Sequence, residues 1–273
     1  MPPRSDDERT EILAFPIDVD VVLQHLHRDM RDDWFEDALQ HRDLFSSKTS
    51  LREVLYEVLL EGNGRYGASK RNVCDIPKKG LGVRYALETD FYDRFIYQAI
   101  CSYLIPFYDP LLSHRVLGHR YDKRQRTGKD LFKGRIELWQ TFEGVTRTAL
   151  HNNQALFATD LINYFENITT ESIREAFEAM LPKITASGPQ KVLIRNSINT
   201  LCELMTYWGY SERHGLPQNR DASSFIANVV LNTVDQEMVR LGFDYYRYVD
   251  DIRIICDSPR AARHAATLLI GQL

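Results

Sequence analysis

The chain has no long apolar segment. No stretch of its 273 residues approaches the roughly 18 apolar residues of a membrane-spanning helix. Its polar start, Met-Pro-Pro-Arg-Ser-Asp-Asp-Glu-Arg, lacks the apolar run of a secretion signal. We therefore expect a cytoplasmic protein without a membrane partner.

Cysteine is scarce as well, and neither charge sign dominates. The four cysteines, at positions 74, 101, 202 and 256, show no paired metal-ligand spacing, so we expect buried free thiols. A formal net charge of −4 gives no bulk signal for nucleic-acid binding. The remaining composition, with 44% hydrophobic and 26% charged residues, is typical of a globular chain with one large domain or two small ones.

Basic residues are nevertheless concentrated in two segments. Residues 65 to 84 contain six Lys or Arg against one acid, and residues 114 to 135 contain eight against two. Each segment can form a local surface that holds phosphates, although a run of charge is more often a solvated face.

The hydrophobic pattern mixes helical and strand periods, which predicts an α+β fold. Two short extended runs, 73–77 and 82–87, flank the turn signal Lys-Lys-Gly at 78–80 and predict a hairpin. Apolar spacing predicts helices over about 18–62, 90–104, 136–150, 170–181, 190–208, 222–241 and 259–269, and strands over 155–158, 245–249 and 252–256.

Acidic residues occur where these last strands end. Asp160 follows the strand-like run Ala-Leu-Phe-Ala-Thr, and Asp250-Asp251 separates the final two strands. A tight turn accepts adjacent aspartates, so a solvated turn is one interpretation. If the three strands share a sheet, however, three carboxylates meet at one edge, and Mg²⁺ prefers such oxygen ligands. Two ions about 3.5–4 Å apart can activate a 3′-hydroxyl and stabilise a leaving pyrophosphate.

These motifs and their order resemble the reverse transcriptase family. The segment 160–165, Asp-Leu-Ile-Asn-Tyr-Phe, resembles its first palm motif, 215–218 matches Gly-Leu-Pro-Gln, and 248–251 matches Tyr-x-Asp-Asp. The steps from 160 to 215 and from 215 to 250 are 55 and 35 residues. The style is similar to that of bacterial group II intron, retron and phage-defence enzymes.

The resemblance implies the polymerase right-hand fold with an antiparallel palm sheet. It divides the chain into a helical N-terminal region (1–64), fingers (65–150) and a palm (151–273). It implies RNA-directed DNA synthesis from dNTPs, with an RNA template and a DNA or RNA primer. Two Mg²⁺ ions are the expected cofactors, and Mn²⁺ is a possible substitute.

The resemblance also assigns the site residues. The catalytic residues are Asp160, Asp250 and Asp251, with Asp160 and Asp250 as bridging ligands and Asp251 nearer the edge. The metal set is Asp160, Leu161, Asp250 and Asp251. Nucleotide binding is assigned to Lys79, Arg84, Phe165 and Gln218, and template or primer binding to Gly215, Pro217, Asn219 and Tyr248. Phe165 would be a steric gate against a 2′-hydroxyl, and the alternative is that it is an aromatic residue of the core. For Lys79 and Arg84 the alternative is a solvated surface position.

Two features depart from the family. Asn219 stands where the family usually has Gly, and Asn is the residue other than Gly that best tolerates a left-handed turn. Only 22 residues follow Asp251, so the thumb is missing from this sequence. We therefore expect a fragment of a longer protein, or a chain that a partner domain or a second copy completes.

Two other functions remain open. An RNA-dependent RNA polymerase shares the palm, but usually has a second Asp near position 165 and Gly-Asp-Asp in the hairpin; Phe165 and Tyr248 oppose it. The second alternative function is that of a catalytically inactive palm-fold protein that binds nucleic acid, and the three intact aspartates argue against this alternative.

Overall fold

The computed structural model describes residues 9–11, 17–32, 43, 45–61, 65–77, 82–125, 130–152, 154–209, 215–218 and 220–273. The helices are α1 (Val19–Asp29), α2 (Lys48–Glu61), α3 (Phe91–Tyr108), α4 (Arg135–His151), α5 (Tyr164–Asn167), α6 (Thr170–Met180), α7 (Gly188–Trp208), α8 (Asp221–Val230), α9 (Asn232–Arg240) and α10 (Pro259–Ile270). The strands are β1 (Arg9–Glu11), β2 (Arg65–Gly67), β3 (Asn72–Pro77), β4 (Val83–Glu88), β5 (Ala155–Asp160), β6 (Asp244–Tyr248) and β7 (Asp251–Cys256). Among the helices of these ranges, none combines the length and apolar character that a membrane crossing requires.

The strands form three small antiparallel sheets between helices. β1 pairs with β2, β3 pairs with β4, and the third sheet has the order β5-β7-β6. The mixture confirms the α+β class that the alternating periods predicted. The β3–β4 pairing, from Asn72 opposite Glu88 to Pro77 opposite Val83, also confirms the predicted hairpin. Its turn, residues 78–81, lies outside the described residues.

The two faces of the β5-β7-β6 sheet pack against different helices. Tyr245 and Ile254 are directly opposite in the register, and both are buried against α9 and α10. Because side chains alternate along a strand, the neighbouring residues face the other way. There, α4 packs on the sheet, and the Arg253 guanidinium lies 4.1 Å from the centre of the Phe142 ring.

A larger core surrounds α3. Asp90 caps the start of this helix, because its carboxylate accepts a hydrogen bond of 2.8 Å from the Asp93 amide, and most side chains of the helix are buried. Leu26 of α1 and Leu55 of α2 belong to the same buried cluster as residues of α6, α7 and α8. Residues on both sides of position 64 therefore share one core. The boundaries at 64 and 150 stay predictions.

One short strand was not predicted, and one predicted helix was wrong. Before the segment predicted to be helical, Thr10 of β1 pairs with Tyr66 of β2. The helix predicted over 222–241 is two helices, with Leu231 between them at φ −82° and ψ 0°. Side chains of α8 belong to the α3 core, whereas those of α9 belong to the core beneath the sheet. Of the four cysteines, three are buried and free, and Cys74 is half-buried and free.

Candidate active site

Two aspartates that are remote in sequence, Asp160 and Asp251, face each other at one end of the β5-β7-β6 sheet, and Asp250 precedes Asp251 in the turn. Asp160, the last residue of β5, is directly opposite Asp251, the first residue of β7. Asp251 is in turn opposite Tyr248 of β6. Directly opposed residues project from the same face, so Tyr248, Asp251 and Asp160 form one row across the sheet. The amide of Leu161 donates a hydrogen bond of 3.3 Å to the carbonyl of Asp250, which holds the turn beside the end of β5.

Negative charge is concentrated in this row. Partial burial raises the pKa of the Asp251 carboxyl, and the negative charge of Asp160 raises it further. Arg253 opposes the shift, while Glu143 adds to it. The two carboxylates are therefore close enough to repel each other, and a bound cation would relieve that repulsion.

The donor chemistry fits a hard divalent cation. Within the described residues, no three His, Cys, Asp or Glu side chains lie close enough together to form a ready-made metal cage. Mg²⁺ does not require one, because it is typically held by one or two carboxylates together with waters and substrate phosphates. Asp160 and Asp251 face each other, and Asp250 adjoins them. The two Mg²⁺ ions, the assignment of Asp160 and Asp250 as their bridging ligands and the inclusion of Leu161 in the metal set stay predictions.

The turn that carries Asp250 has an unusual backbone. Val249 has φ +57°, in the left-handed region that β-branched residues rarely occupy. Its side chain is buried at 6% exposure. A Cβ atom at Gly118 would lie 2.9 Å from Cγ2 of Val249, so only glycine fits beside this turn.

Tyr248 belongs to an aromatic cluster that the sequence analysis missed. Its ring centroid lies 5.0 Å from that of Trp139 and 5.8 Å from that of Phe142, both on α4. Burial raises the pKa of the Tyr248 hydroxyl. Trp139 remains 39% exposed, so an aromatic surface extends from the row of aspartates onto α4. The sequence signal for this cluster was the spacing of the two aromatic residues at 139 and 142, which places both on one face of α4.

The Gly-Leu-Pro-Gln segment is docked on the short helix after Asp160. The amide of Gly215 donates to the carbonyl of Ile168, and the amide of Leu216 donates to that of Phe165, both at 2.9 Å. Gly215 has φ +96°, which only glycine adopts without strain. Pro217 is buried, and its carbonyl accepts a hydrogen bond from the Ser223 hydroxyl.

Gln218 connects this loop to the β3–β4 hairpin. Its side-chain amide donates to the carbonyl of Tyr85 at 2.9 Å and to the carboxylate of Glu166 at 3.1 Å. Beside it, the Arg220 guanidinium contacts both carboxylate oxygens of Glu88 at 2.7 and 2.8 Å. These contacts hold the hairpin against the loop and against α5. Phe165 is half-buried on α5 and packs against the α3 core.

Three residues with predicted roles lie wholly or partly outside the described part of the chain. Lys79 and Asn219 lie outside the described residues. The backbone of Arg84 lies in β4, opposite Ile76. The roles of all three stay predictions.

The second basic segment is less available to phosphates than its composition indicated. Arg115 forms an ion pair of 2.6 Å with Asp244, and Arg120 forms one of 2.8 Å with Asp109. Lys133 and Arg135, at the start of α4, are exposed. Within the described residues, Arg115 and Arg120 are therefore engaged in ion pairs, and the prediction of a phosphate-holding surface rests on the other basic residues of the segment.

No known family's sequence profile matches the chain. Two solved structures are similar to it at 18% identity and a TM-score of 0.38, each over 90% of this chain. They are described as "Partial Cas6-RT-Cas1--Cas2 complex" and "Cas6-RT-Cas1--Cas2 complex". The chain spans 37% of the first and 23% of the second.

Proposed function

We propose that this chain is the fingers and palm of a reverse transcriptase, which extends a primer with deoxynucleotides on an RNA template. One observation carries the proposal: the register of β5 and β7 sets Asp160 opposite Asp251, next to Asp250 in the turn. A structural turn gains nothing from a carboxylate, Asp251, that repels another across the sheet, with a further acid beside it in the chain. A site for divalent cations explains why all three are there.

The carboxylates would hold Mg²⁺, with waters and the phosphates of the dNTP completing its coordination. When bound, the ions would activate the 3′-hydroxyl of the primer and stabilise the leaving pyrophosphate. The protein itself contributes by fixing the positions of the three aspartates. Strand pairing sets the separation of Asp160 and Asp251, and the Leu161 amide fixes the backbone of Asp250 beside them.

The incoming nucleotide would lie between the aspartates and the β3–β4 hairpin. Gln218 joins that hairpin to α5 through Tyr85, the neighbour of Arg84 in the chain. Arg84 would contact the triphosphate, because a guanidinium can donate two parallel hydrogen bonds to phosphate oxygens. Phe165 would lie beneath the sugar and exclude a 2′-hydroxyl.

The test is Mg²⁺-dependent incorporation of dNTPs on an RNA–DNA hairpin substrate, in which template and primer stay together. Asp250→Asn removes one proposed ligand. The matched control is Asp257→Asn, which changes an exposed aspartate just beyond the other end of β7. We expect incorporation by the wild type and by the control, and a loss of about a hundredfold or more in Asp250→Asn, as for other groups that stabilise developing charge.

Three results would contradict the proposal, and they point to different alternatives. Preferential use of ribonucleotides would indicate an RNA polymerase. No incorporation by the folded wild type would indicate an inactive palm, and equal incorporation by Asp250→Asn would remove the aspartates from the reaction.

A further inference from the structure

Arg247 is a charged residue in the interior of the sheet, two positions before the strained Val249. Its side chain has 0% exposure, as has that of Asp235, to which it is paired at 2.6 Å. A guanidinium has five N–H groups. All five have acceptors: two on the Asp235 carboxylate, two on Asn228, and one on the carbonyl of Val249 at 2.6 Å.

The acceptors around Arg247 are themselves fixed. The Tyr245 hydroxyl donates to Asp235 at 2.8 Å, and the Asn228 side-chain amide donates to the carbonyl of Gly118 at 2.9 Å. Both backbone groups of Arg247 are hydrogen-bonded to the loop before α4. Its carbonyl accepts from the amide of Leu117 at 2.8 Å, and its amide donates to the carbonyl of residue 115 at 3.0 Å. The network therefore ties α8, α9 and the loop before α4 to the last residues of β6.

Val249 needs such support. A β-branched residue in the left-handed region costs about 1–3 kcal/mol and persists only where its surroundings hold it. Here Arg247 holds its carbonyl, and Gly118 leaves room for its side chain. Because Asp250 is the next residue, the conformation of Val249 decides where that carboxylate is presented.

Arg247 does not reach the row of aspartates. It is opposite Ile252 in the register, and Ile252 is buried in the core beneath the sheet. Tyr248 and Asp251 project from the other face. Arg247 can therefore act on the aspartates only through the backbone.

A role in stability alone does not explain an ion pair at this position. Apolar residues of similar volume often stabilise a core as well as a buried ion pair does, or better. Apolar side chains would, however, leave the carbonyl of Val249 without a donor. The hydrogen bond to that carbonyl is what an arginine adds here.

We propose that Arg247 is a positioning residue: held by Asp235 and Asn228, it fixes the left-handed turn at Val249 and thereby sets the Asp250 and Asp251 carboxylates for cation binding. The inference rests on the proposed function for the identity of the cation. It concerns the turn, however, and can be measured by cation binding without catalysis.

The experiment compares Arg247→Lys with Arg94→Lys. Arg94 is paired with Asp29 at 2.6 Å with side-chain exposures of 2% and 4%, so it is a matched buried ion pair away from the turn. For each folded variant we would measure Mn²⁺ affinity by electron paramagnetic resonance, together with kcat and the KM for dNTP. Lysine keeps the charge but cannot make five hydrogen bonds in a planar arrangement.

We expect Arg247→Lys to weaken Mn²⁺ binding about tenfold and to lower kcat by at least as much, with the KM for dNTP within about twofold; tenfold in affinity corresponds to about 1.4 kcal/mol. Arg94→Lys should lower thermal stability and leave Mn²⁺ affinity and kcat per folded molecule unchanged. Equal Mn²⁺ affinity and kcat in Arg247→Lys and the wild type would overturn the inference.

A second variant decides the case if Arg247→Lys does not fold. Arg247→Met combined with Asp235→Leu and Tyr245→Phe replaces the ion pair and its hydroxyl partner by apolar side chains. The inference predicts a folded protein with weakened Mn²⁺ binding. Unchanged Mn²⁺ binding would overturn it, and so would failure of both variants to fold, because the network would then serve stability.

The two proposals fail in different ways. Wild-type Mn²⁺ binding that Arg247→Lys weakens, without dNTP incorporation, would sink the polymerase and keep the positioning role. Incorporation that Arg247→Lys leaves unchanged would sink the positioning role and keep the polymerase.

Discussion

Removal of the Asp251 charge should stabilise the metal-free protein. Asp251 faces Asp160 across two paired strands, and like charges in that position are destabilising. At a Cβ separation of about 5 Å, two unit charges in a water-like environment repel by about 1 kcal/mol. We use the repulsion for a water-like environment, which is smaller than that between two buried charges, because Asp160 is exposed. In a chain of this size, 1 kcal/mol corresponds to a Tm shift of about 2–4 °C.

The pH dependence has a defined sign. The pKa of Asp251 is raised by burial and by Asp160, so it lies above its value in the unfolded chain. Between those two pKa values the folded state binds more protons than the unfolded state. The free energy of unfolding therefore falls as the pH rises through that window. Asp251→Asn should lack this contribution and gain most over the wild type above the folded pKa.

The assay is thermal unfolding in a chelator, followed by circular dichroism, for a double-mutant cycle. We expect Asp251→Asn and Asp160→Asn each to raise Tm, and the double variant to gain less than the sum, because either change alone removes the repulsion. The control Asp257→Asn should leave Tm unchanged. Added Mg²⁺ should raise the Tm of the wild type more than that of Asp251→Asn, since a ligand stabilises in proportion to its affinity for the folded state.

One result would refute this reasoning. If Asp251→Asn and Asp160→Asn lowered Tm and their effects were additive, the two carboxylates would not interact, and the site would lose its electrostatic basis.

The remaining predictions concern single contacts. Phe165→Ala should reduce discrimination against ribonucleotides by about tenfold or more, equivalent to about 1.4 kcal/mol less steric repulsion of the 2′-hydroxyl. The measurement is the ratio of kcat/KM for dNTP to that for rNTP, and a ratio equal to that of the wild type would remove the steric gate. Arg84→Ala should raise the KM for dNTP, and it should also lower kcat if the contact tightens in the transition state. Steady-state kinetics at varied dNTP measure both, and a constant KM would return Arg84 to the solvated surface. Tyr164→Phe removes a hydrogen bond of 2.7 Å to the carbonyl of Ala227 and should destabilise the protein by about 1–2 kcal/mol in denaturant unfolding.

The elements that carry the site were predictable because each has a strong local signal. The strand ending at Asp160 and the two strands around Asp250-Asp251 are short apolar runs bounded by acids. The hairpin 72–88 has a turn signal between two extended runs. The backbone hydrogen bond from Leu216 to Phe165 brings the Gly-Leu-Pro-Gln segment onto α5, and the sequence did not predict that contact.

What sequence could not predict depends on contacts between distant residues. The partner of Arg247 is Asp235 on another element, and no local pattern relates the two. The break at Leu231 is hidden because the apolar period continues across it, although the helices on its two sides pack into different cores. The pairing of Thr10 with Tyr66 joins segments more than fifty residues apart. In each case the decisive interaction is tertiary.

The most direct test of cation binding by the aspartates is anomalous X-ray scattering from Mn²⁺ in crystals grown with a primer–template and a non-reactive dNTP. The account predicts two peaks about 3.5–4 Å apart, in contact with carboxylate oxygens of Asp160 and of the 250–251 turn. Mn²⁺ bound elsewhere, with no peak between these side chains, would contradict it.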